Sequence, residues 1–203
     1  MKLLHVDSSI LGENSVSRTL SRATVERLRS EIPGLEVTYR DLVAEPIFHL
    51  TAHHLAGPDQ DPPGDQALRD DLTRGGAALD EFLAADIVVI GVGFYNFSIP
   101  SQLKAWVDRI AARGKTFRYT ENGPEGLAGD KRVILTISRG GFYGAGTPIA
   151  SFEHAESYLR IIFGFFGIED VEVIAAEGIN IGPAQREKAT NEALATIGGL
   201  AAA

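Results

Sequence analysis

The sequence predicts an α/β fold: a parallel five-stranded sheet of order 2-1-3-4-5 with helices on both faces. Short aliphatic runs alternate with longer stretches of helical periodicity, the pattern of strand–helix–strand units. Three of the runs, at 3–6, 86–91 and 132–137, are mostly apolar rather than alternating, with His5 and Thr136 as interior exceptions, as strands covered on both sides are. With right-handed crossovers, 2-1-3-4-5 is the common open order for five strands, and its ligand crevice lies beyond their carboxyl ends where the order reverses.

Residues 3–6 form the first strand, ended by the polar stretch 7–9. Val16, Leu20, Ala23, Leu28 and Ile32 recur at near-helical spacing, and Pro33 and Gly34 supply the stop. Residues 35–40, alternating through Val37 and Tyr39, make the second strand. The segment 44–64 is polar and proline-rich, too long for a simple connection. Leu68, Leu72, Leu79 and Phe82 mark a helix that Gly75 and Gly76 should weaken. Residues 86–91, around an Ile-Val-Val-Ile core, are the clearest buried strand. Pro100 then suits a first helical turn, and Leu103, Trp106, Val107 and Ile110 share one face. Residues 132–137 are the fourth strand. A strongly apolar helix runs through Phe152, Ala155, Leu159, Ile162, Phe163 and Phe166. A fifth strand at 171–175 and an Ala-rich helical tail at 183–200 complete the chain.

The 203 residues suit one domain and can bury a core without disulfides or structural metal. Hydrophobic and charged shares of 44% and 23% argue against disorder, collagen and coiled coil. Nineteen Lys and Arg against 27 Asp and Glu leave a net charge of −8, which opposes non-specific attraction to nucleic acid or an anionic membrane. No apolar run approaches bilayer-spanning length, and the N-terminus turns polar too quickly for a secretory signal. Cysteine is absent, which excludes disulfides, Cys-ligated zinc, iron–sulfur clusters and thiol catalysis and makes a reducing cytoplasm the expected compartment.

In this topology the loops after strands one, three and four converge, and the chemistry concentrates there. The first carries Ser9, Ser15 and Ser17 and runs straight into a helix, whose free amides and dipole favour an anion such as phosphate. It contains neither a nucleoside-triphosphatase P-loop nor a Gly-x-Gly-x-x-Gly dinucleotide fingerprint. Ser15 reads equally as a plain N-cap. The second loop, Phe94-Tyr95-Asn96-Phe97, sets aromatics around an amide where a flat heteroaromatic ligand would cover them, unless they pack under the next helix. The third, Ser138-Arg139-Gly140-Gly141-Phe142-Tyr143, offers glycine amides at close approach, or is simply a flexible turn. Together they describe a pocket for a phosphorylated, planar, hydrogen-bonding ring.

Ser9 with Ser15-Val16-Ser17, then Phe94-Tyr95-Asn96-Phe97, then Ser138-Arg139-Gly140-Gly141 resemble, in that order, the FMN-dependent NAD(P)H azoreductases of the flavodoxin-like superfamily. The run from Thr116 to Leu127 and Ala176-Glu177-Gly178-Ile179 are similar to the same family, so the resemblance spans nearly the whole chain and implies one flavodoxin-like domain over 1–203. It implies that Ser9, Ser15, the Val16 amide and Ser17 hold the FMN phosphate. Tyr95, Asn96 and Phe97, with Phe94 beside them, would line the ribityl chain and ring, and Ser138, Gly140 and Gly141 would meet the ring's far edge. It implies a homodimer in which Phe117 and Tyr119 lie near the partner's flavin and, with Tyr143, border the substrate pocket. The implied activity is ping-pong, two-electron reduction of quinones and reductive cleavage of azo compounds to aromatic amines, driven by NADH or NADPH. The chemistry is flavin-centred and needs no dedicated catalytic side chain.

The main rival is a flavodoxin-like FMN electron carrier without organic turnover. A third reading is a phosphate-sensing module with no redox role. His49, His53 and His54 invite a metal reading, but no helical pattern or acidic third ligand supports it, and they read as surface residues; no metal is expected. His5 reads as a satisfied core residue. Asp7, Ser9 and His154 lack the Gly-x-Ser-x-Gly elbow of a hydrolase. Glu153, Glu156 and Arg160 read as a solvated helix face.

Overall fold

From the N-terminus the chain forms β1 (Lys2–Asp7), α1 (Val16–Glu31), β2 (Glu36–Asp41), a one-turn α2 (Ala52–Leu55), α3 (Gln66–Ala84) and β3 (Ile87–Gly93). It continues through α4 (Ser101–Ile110), β4 (Phe117–Thr120), β5 (Gly123–Gly126), β6 (Arg132–Arg139), α5 (Glu156–Phe165), β7 (Val171–Glu177) and α6 (Pro183–Gly198). The structure is a computed structural model that describes residues 1–55 and 65–201. Of the polar segment 44–64, residues 56–64 therefore lie outside the described residues.

The five long strands pair in parallel in the order β2-β1-β3-β6-β7, which is 2-1-3-4-5 by position in the sheet. Alternate residues of the central strands feed two separate cores. Leu4, Val6, Val88, Ile90, Leu135 and Ile137 pack with Phe82, Trp106 and Phe163 of α3, α4 and α5. Leu3, Ile87, Val89 and Ile134 pack with Leu20 and Leu28 of α1 and Ala193 and Ile197 of α6. A strand buried on both faces shows the continuous apolar run that marked β3 in the sequence.

Several boundaries differ from expectation. β3 and β6 each run two residues further, to Gly93 and Arg139, and so carry their last residues directly into the loops of interest. Gly75 and Gly76 do not interrupt α3; a Cβ on Gly75 would lie 3.1 Å from Arg109 Cδ, so the glycine makes room for a side chain of α4. The apolar helix starts at Glu156, not near Phe152, because the Glu153 carboxylate caps it by accepting the Ala155, Glu156 and Ser157 amides at 3.0, 2.8 and 3.1 Å. The antiparallel hairpin β4–β5 was not expected. Its two-residue Glu121-Asn122 turn before Gly123 is a hairpin signal, but Gly-Pro-Glu-Gly is a poor strand sequence. Ala128 N donates to Phe166 O at 2.9 Å, holding the chain beyond the hairpin against the end of α5.

Candidate functional site

At the carboxyl end of β1, Ser8 binds the Gly91 carbonyl twice, through its amide at 3.2 Å and its hydroxyl at 2.7 Å. Gly91 is required there, since a Cβ would stand 2.2 Å from Asp7 Oδ1. Ser9 Oγ and Tyr95 Oη share a hydrogen bond of 3.0 Å; Leu11 N donates to the first and Ile10 N to the second, both at 3.3 Å. Ser15 is the N-cap of α1, accepting Arg18 N at 3.3 Å, and its hydroxyl lies 3.1 Å from that of Ser17. Each hydroxyl pair holds two hydrogens and uses one between its members, so each keeps one to donate. Among the described residues the Val16 and Ser17 amides have no hydrogen-bond partner. The set is neutral, donor-rich and placed at a helix start, which fits a phosphate group.

β3 leaves the sheet into a two-residue turn. Tyr95 N donates to Ser98 O and Ser98 N to Tyr95 O, both at 3.0 Å, with Asn96 at φ +49° and Phe97 at φ +71°. Positive φ at both central positions is the type I′ pattern; asparagine tolerates it, whereas phenylalanine does so under strain. The Phe97 and Phe152 rings are nearly half exposed with centroids 5.3 Å apart, and Tyr143 sits 4.7 Å from Phe94 and 6.1 Å from Phe97. The aromatics thus cluster with one another at the surface and do not retreat under α4. Beside them a cavity of about 850 Å³ is bounded by Ile10, His49, Phe94, Tyr95, Asn96, Ile99 and Tyr158. Burial pushes the Tyr158 phenol up to about 12, so that wall is a neutral hydroxyl.

The third loop meets the second, since Phe94 N donates to Ser138 O at 3.2 Å. Ile179, Asn180 and Gly178 donate to the carbonyls of Arg139, Gly140 and Gly141 at 3.1, 3.1 and 2.9 Å. With those carbonyls taken, the Gly140 and Gly141 amides have no partner among the described residues. Ser9–Tyr95 joins the first loop to the second and Phe94–Ser138 the second to the third, so the three gather at one end of the sheet. Phe117 and Tyr119 do not join them within this chain. They lie on β4, where the Phe117 ring is 4.6 Å from Phe165 and Tyr119 is largely exposed.

Of the remaining residues, some depart from expectation and some meet it. His54 is not a surface residue: its Nε2 is 2.9 Å from Asp71 Oδ2, and its side chain is 3% exposed. Glu153 and Glu156 are not a solvated face, because Arg139 lies inward of them at 3.3 and 2.8 Å; Arg160 does pair with Glu156 at 3.0 Å. His5 is a satisfied core residue, 2.9 Å from Ser21 Oγ. Asp7 is occupied by Ser21 and Tyr39, and Ser9 by Tyr95, so no triad with His154 forms. Sequence reading passed over Arg18 and Asp41. Their paired hydrogen bonds hold Asp41 below the usual carboxylate range and Arg18 above its ordinary value, while partial desolvation of its phenol, with the Asp7 and Asp41 carboxylates nearby, pushes the otherwise exposed Tyr39 up to about 12.

The family described as having a flavodoxin-like fold matches residues 1–200. The FMN-dependent NADH:quinone oxidoreductase 2 of Bradyrhizobium diazoefficiens is 59% identical over all 203 residues and the whole of both chains. The FMN-dependent NADH:quinone oxidoreductase of Methylorubrum populi is 56% identical over the same extent. Among solved structures, azoreductase AzrA superposes with TM-score 0.87 at 30% identity, covering 100% of this chain and 99% of its own. The azoreductase of Bacillus anthracis str. Sterne superposes with TM-score 0.86 at 31% identity, covering 98% and 97%. The chain belongs to the flavodoxin-like fold family, within the group of FMN-dependent NADH:quinone oxidoreductases and azoreductases.

Proposed function

We propose that this chain is an FMN-dependent NADH:quinone oxidoreductase that also cleaves azo compounds, working by a ping-pong cycle in which nicotinamide leaves before the acceptor enters. The observation that carries this reading is the neutral donor set at Ser9, Ser15, Val16 and Ser17, joined through Tyr95 to an exposed aromatic wall. When bound, FMN supplies the hydride and electron chemistry. Ser9, Ser15, the Val16 amide and Ser17 would hold its phosphate by uncharged donors and the helix dipole. Phe94, Tyr95, Asn96 and Phe97 would flank the ribityl chain and ring, and Ser138 with the Gly140 and Gly141 amides would donate to the ring's polar edge. Donors already fixed by the β6–β7 loop contacts need not reorganise when negative charge develops there.

Tyr143 would close the acceptor side of the site. In a homodimer, Phe117 and the exposed Tyr119 would cover the partner's ring; their place on β4, where Phe117 packs on Phe165 and not on the three loops, supports that arrangement. The two cores, one on each face of the sheet, support a doubly wound single domain over 1–203. Among the described residues no helix is long and apolar enough to cross a membrane. NADH is the donor named for the relatives.

The test is optical. Protein loaded with FMN should lose its visible flavin absorbance on anaerobic addition of NADH and regain it on addition of a quinone, with parallel lines in steady-state double-reciprocal plots. Reduction by NADH without reoxidation by any quinone would favour the electron carrier, and failure to take up FMN would end the reading.

A further inference from the structure

We propose, resting on the FMN reading above, that Arg18 is the positioning residue of the phosphate cradle: its guanidinium clamps the Ser9 carbonyl and thereby sets where the Ser9–Tyr95 hydroxyl pair points. Arg18 lies in the first turn of α1 and is the natural candidate for a direct cation–phosphate contact. The geometry removes it from that role. Nε and Nη2 donate to Ser9 O at 3.0 and 2.9 Å, Nη1 and Nη2 donate to Asp41 Oδ2 and Oδ1 at 2.6 and 2.8 Å, and Nη1 also donates to Tyr39 Oη at 3.3 Å. A guanidinium has five N–H donors, and all five are engaged. A second carboxylate, that of Asp7, stands with its Oδ2 4.0 Å away, and the Arg18 side chain is 9% exposed.

Asp41 anchors the far end of the clamp. It accepts the Val43 and Ala44 amides at 2.9 and 3.3 Å, which ties the guanidinium to the chain just beyond β2. The planar fork therefore bridges two backbone segments at the carboxyl edge of the sheet, a geometry that lysine cannot reproduce. Ser9 is held before any ligand arrives, so less ordering is left for the binding step. The arginine acts through the serine and touches the ligand nowhere.

Dissociation constants for FMN and for riboflavin, which lacks the phosphate, test this on the full chain stripped of flavin. Arg18→Gln should weaken FMN binding by about 10- to 100-fold, the effect of losing charge-assisted hydrogen bonds, and leave riboflavin binding unchanged. Arg18→Lys, which keeps the charge without the fork, should show most of the same loss, and it carries the test if the glutamine variant does not fold. In a Ser9→Ala background, Arg18→Gln should cost little more. Equal losses for both flavins, FMN binding unaffected by either variant, wild-type behaviour of Arg18→Lys, or additive Ser9 and Arg18 losses would each overturn the clamp. A wild-type protein that binds neither flavin would instead overturn the FMN reading beneath it.

Discussion

Arg139 donates through Nη1 to Glu177 Oε1 at 3.0 Å, and the same carboxylate oxygen accepts the Tyr143 amide at 2.9 Å. Arg139 is buried and also reaches Glu156 and the helix-capping Glu153. Burial alone would lower its pKa, but the Glu156 and Glu177 hydrogen bonds leave it raised. One guanidinium thus joins the end of β6, the end of β7 and the start of α5, and fixes the loop that tilts the Tyr143 ring against Phe94. Glu177→Ala should cost about 1–3 kcal/mol, since Arg139 keeps its other two carboxylates. It should also raise KM for quinone, because the Tyr143 amide loses its acceptor. Urea denaturation and steady-state kinetics read the two effects; unchanged values in both would mean that the β6–β7 loop contacts hold Tyr143 without this knot.

Phe97 gives a second prediction, because its backbone and its ring pull in opposite directions. At φ +71° a non-glycine residue carries strain of order 1–3 kcal/mol, and asparagine tolerates that region far better. Its ring is nearly half exposed, so deleting it forfeits little burial. Phe97→Asn should therefore keep or raise the melting temperature while weakening FMN binding, the usual trade at a functional site. Thermal unfolding and flavin titration check it. A fall of several degrees would mean that the contacts to Phe94, Tyr143 and Phe152 outweigh the strain.

Strand order and the three converging loops were legible because β3 and β6 are buried on both faces and write that burial as the aliphatic runs 87–90 and 133–135. Ser9, Tyr95, Phe94 and Ser138 could be grouped for the same reason: the parallel topology sends their loops to one edge. Arg18 and Arg139 were not legible. Arg18 looks like any exposed helix cation until the sheet order brings β2 beside β1 and places Asp41 next to it. Arg139 looks like a loop residue until β6 is seen to extend through it. His54 looked solvated because nothing in a polar segment announces that a carboxylate of α3 is buried beneath it. The β4–β5 hairpin was missed because its second strand has almost no strand propensity and is held by tertiary contacts.

Two depressed carboxylates define an acid limit. Hydrogen bonds from Arg18 lower Asp41, followed by those from the Val43 and Ala44 amides. For Glu153 desolvation acts upward, but three backbone amides and Arg139 outweigh it and leave it lowered. A folded-state value below the unfolded one contributes stability that is fully present above about pH 4 and is lost as pH falls through the folded value. Wild-type stability should thus decline below about pH 4, and the gap between wild type and Asp41→Asn should narrow across the same range. Urea denaturation at pH 7 and at acid pH gives the comparison. A gap that stays constant would mean that Asp41 contributes by packing and not by charge.

Asp71 carries the last prediction. It is fully buried on α3 and accepts Phe48 N at 2.7 Å, His54 Nε2 at 2.9 Å and the Arg109 guanidinium, which itself donates to Phe48 O at 3.0 Å. Thr51 N donates to His54 Nδ1 at 2.9 Å, so Nδ1 is the acceptor and Nε2 carries the hydrogen that Asp71 receives. Desolvation lowers Arg109 from its ordinary value, with Asp71 opposing it. Asp71→Ala would strand that cation and the Phe48 amide together, at a cost of about 3–5 kcal/mol. It would also free the segment that presents His49 to the cavity, so proteolysis within 46–55 should speed up along with the loss of stability. Replacing Asp71, His54 and Arg109 together by apolar residues of similar volume should recover most of that stability, because no buried charge is then left unpaired. If the triple variant were as unstable as Asp71→Ala, the lost backbone contacts at Phe48, and not the stranded charge, would be the dominant cost.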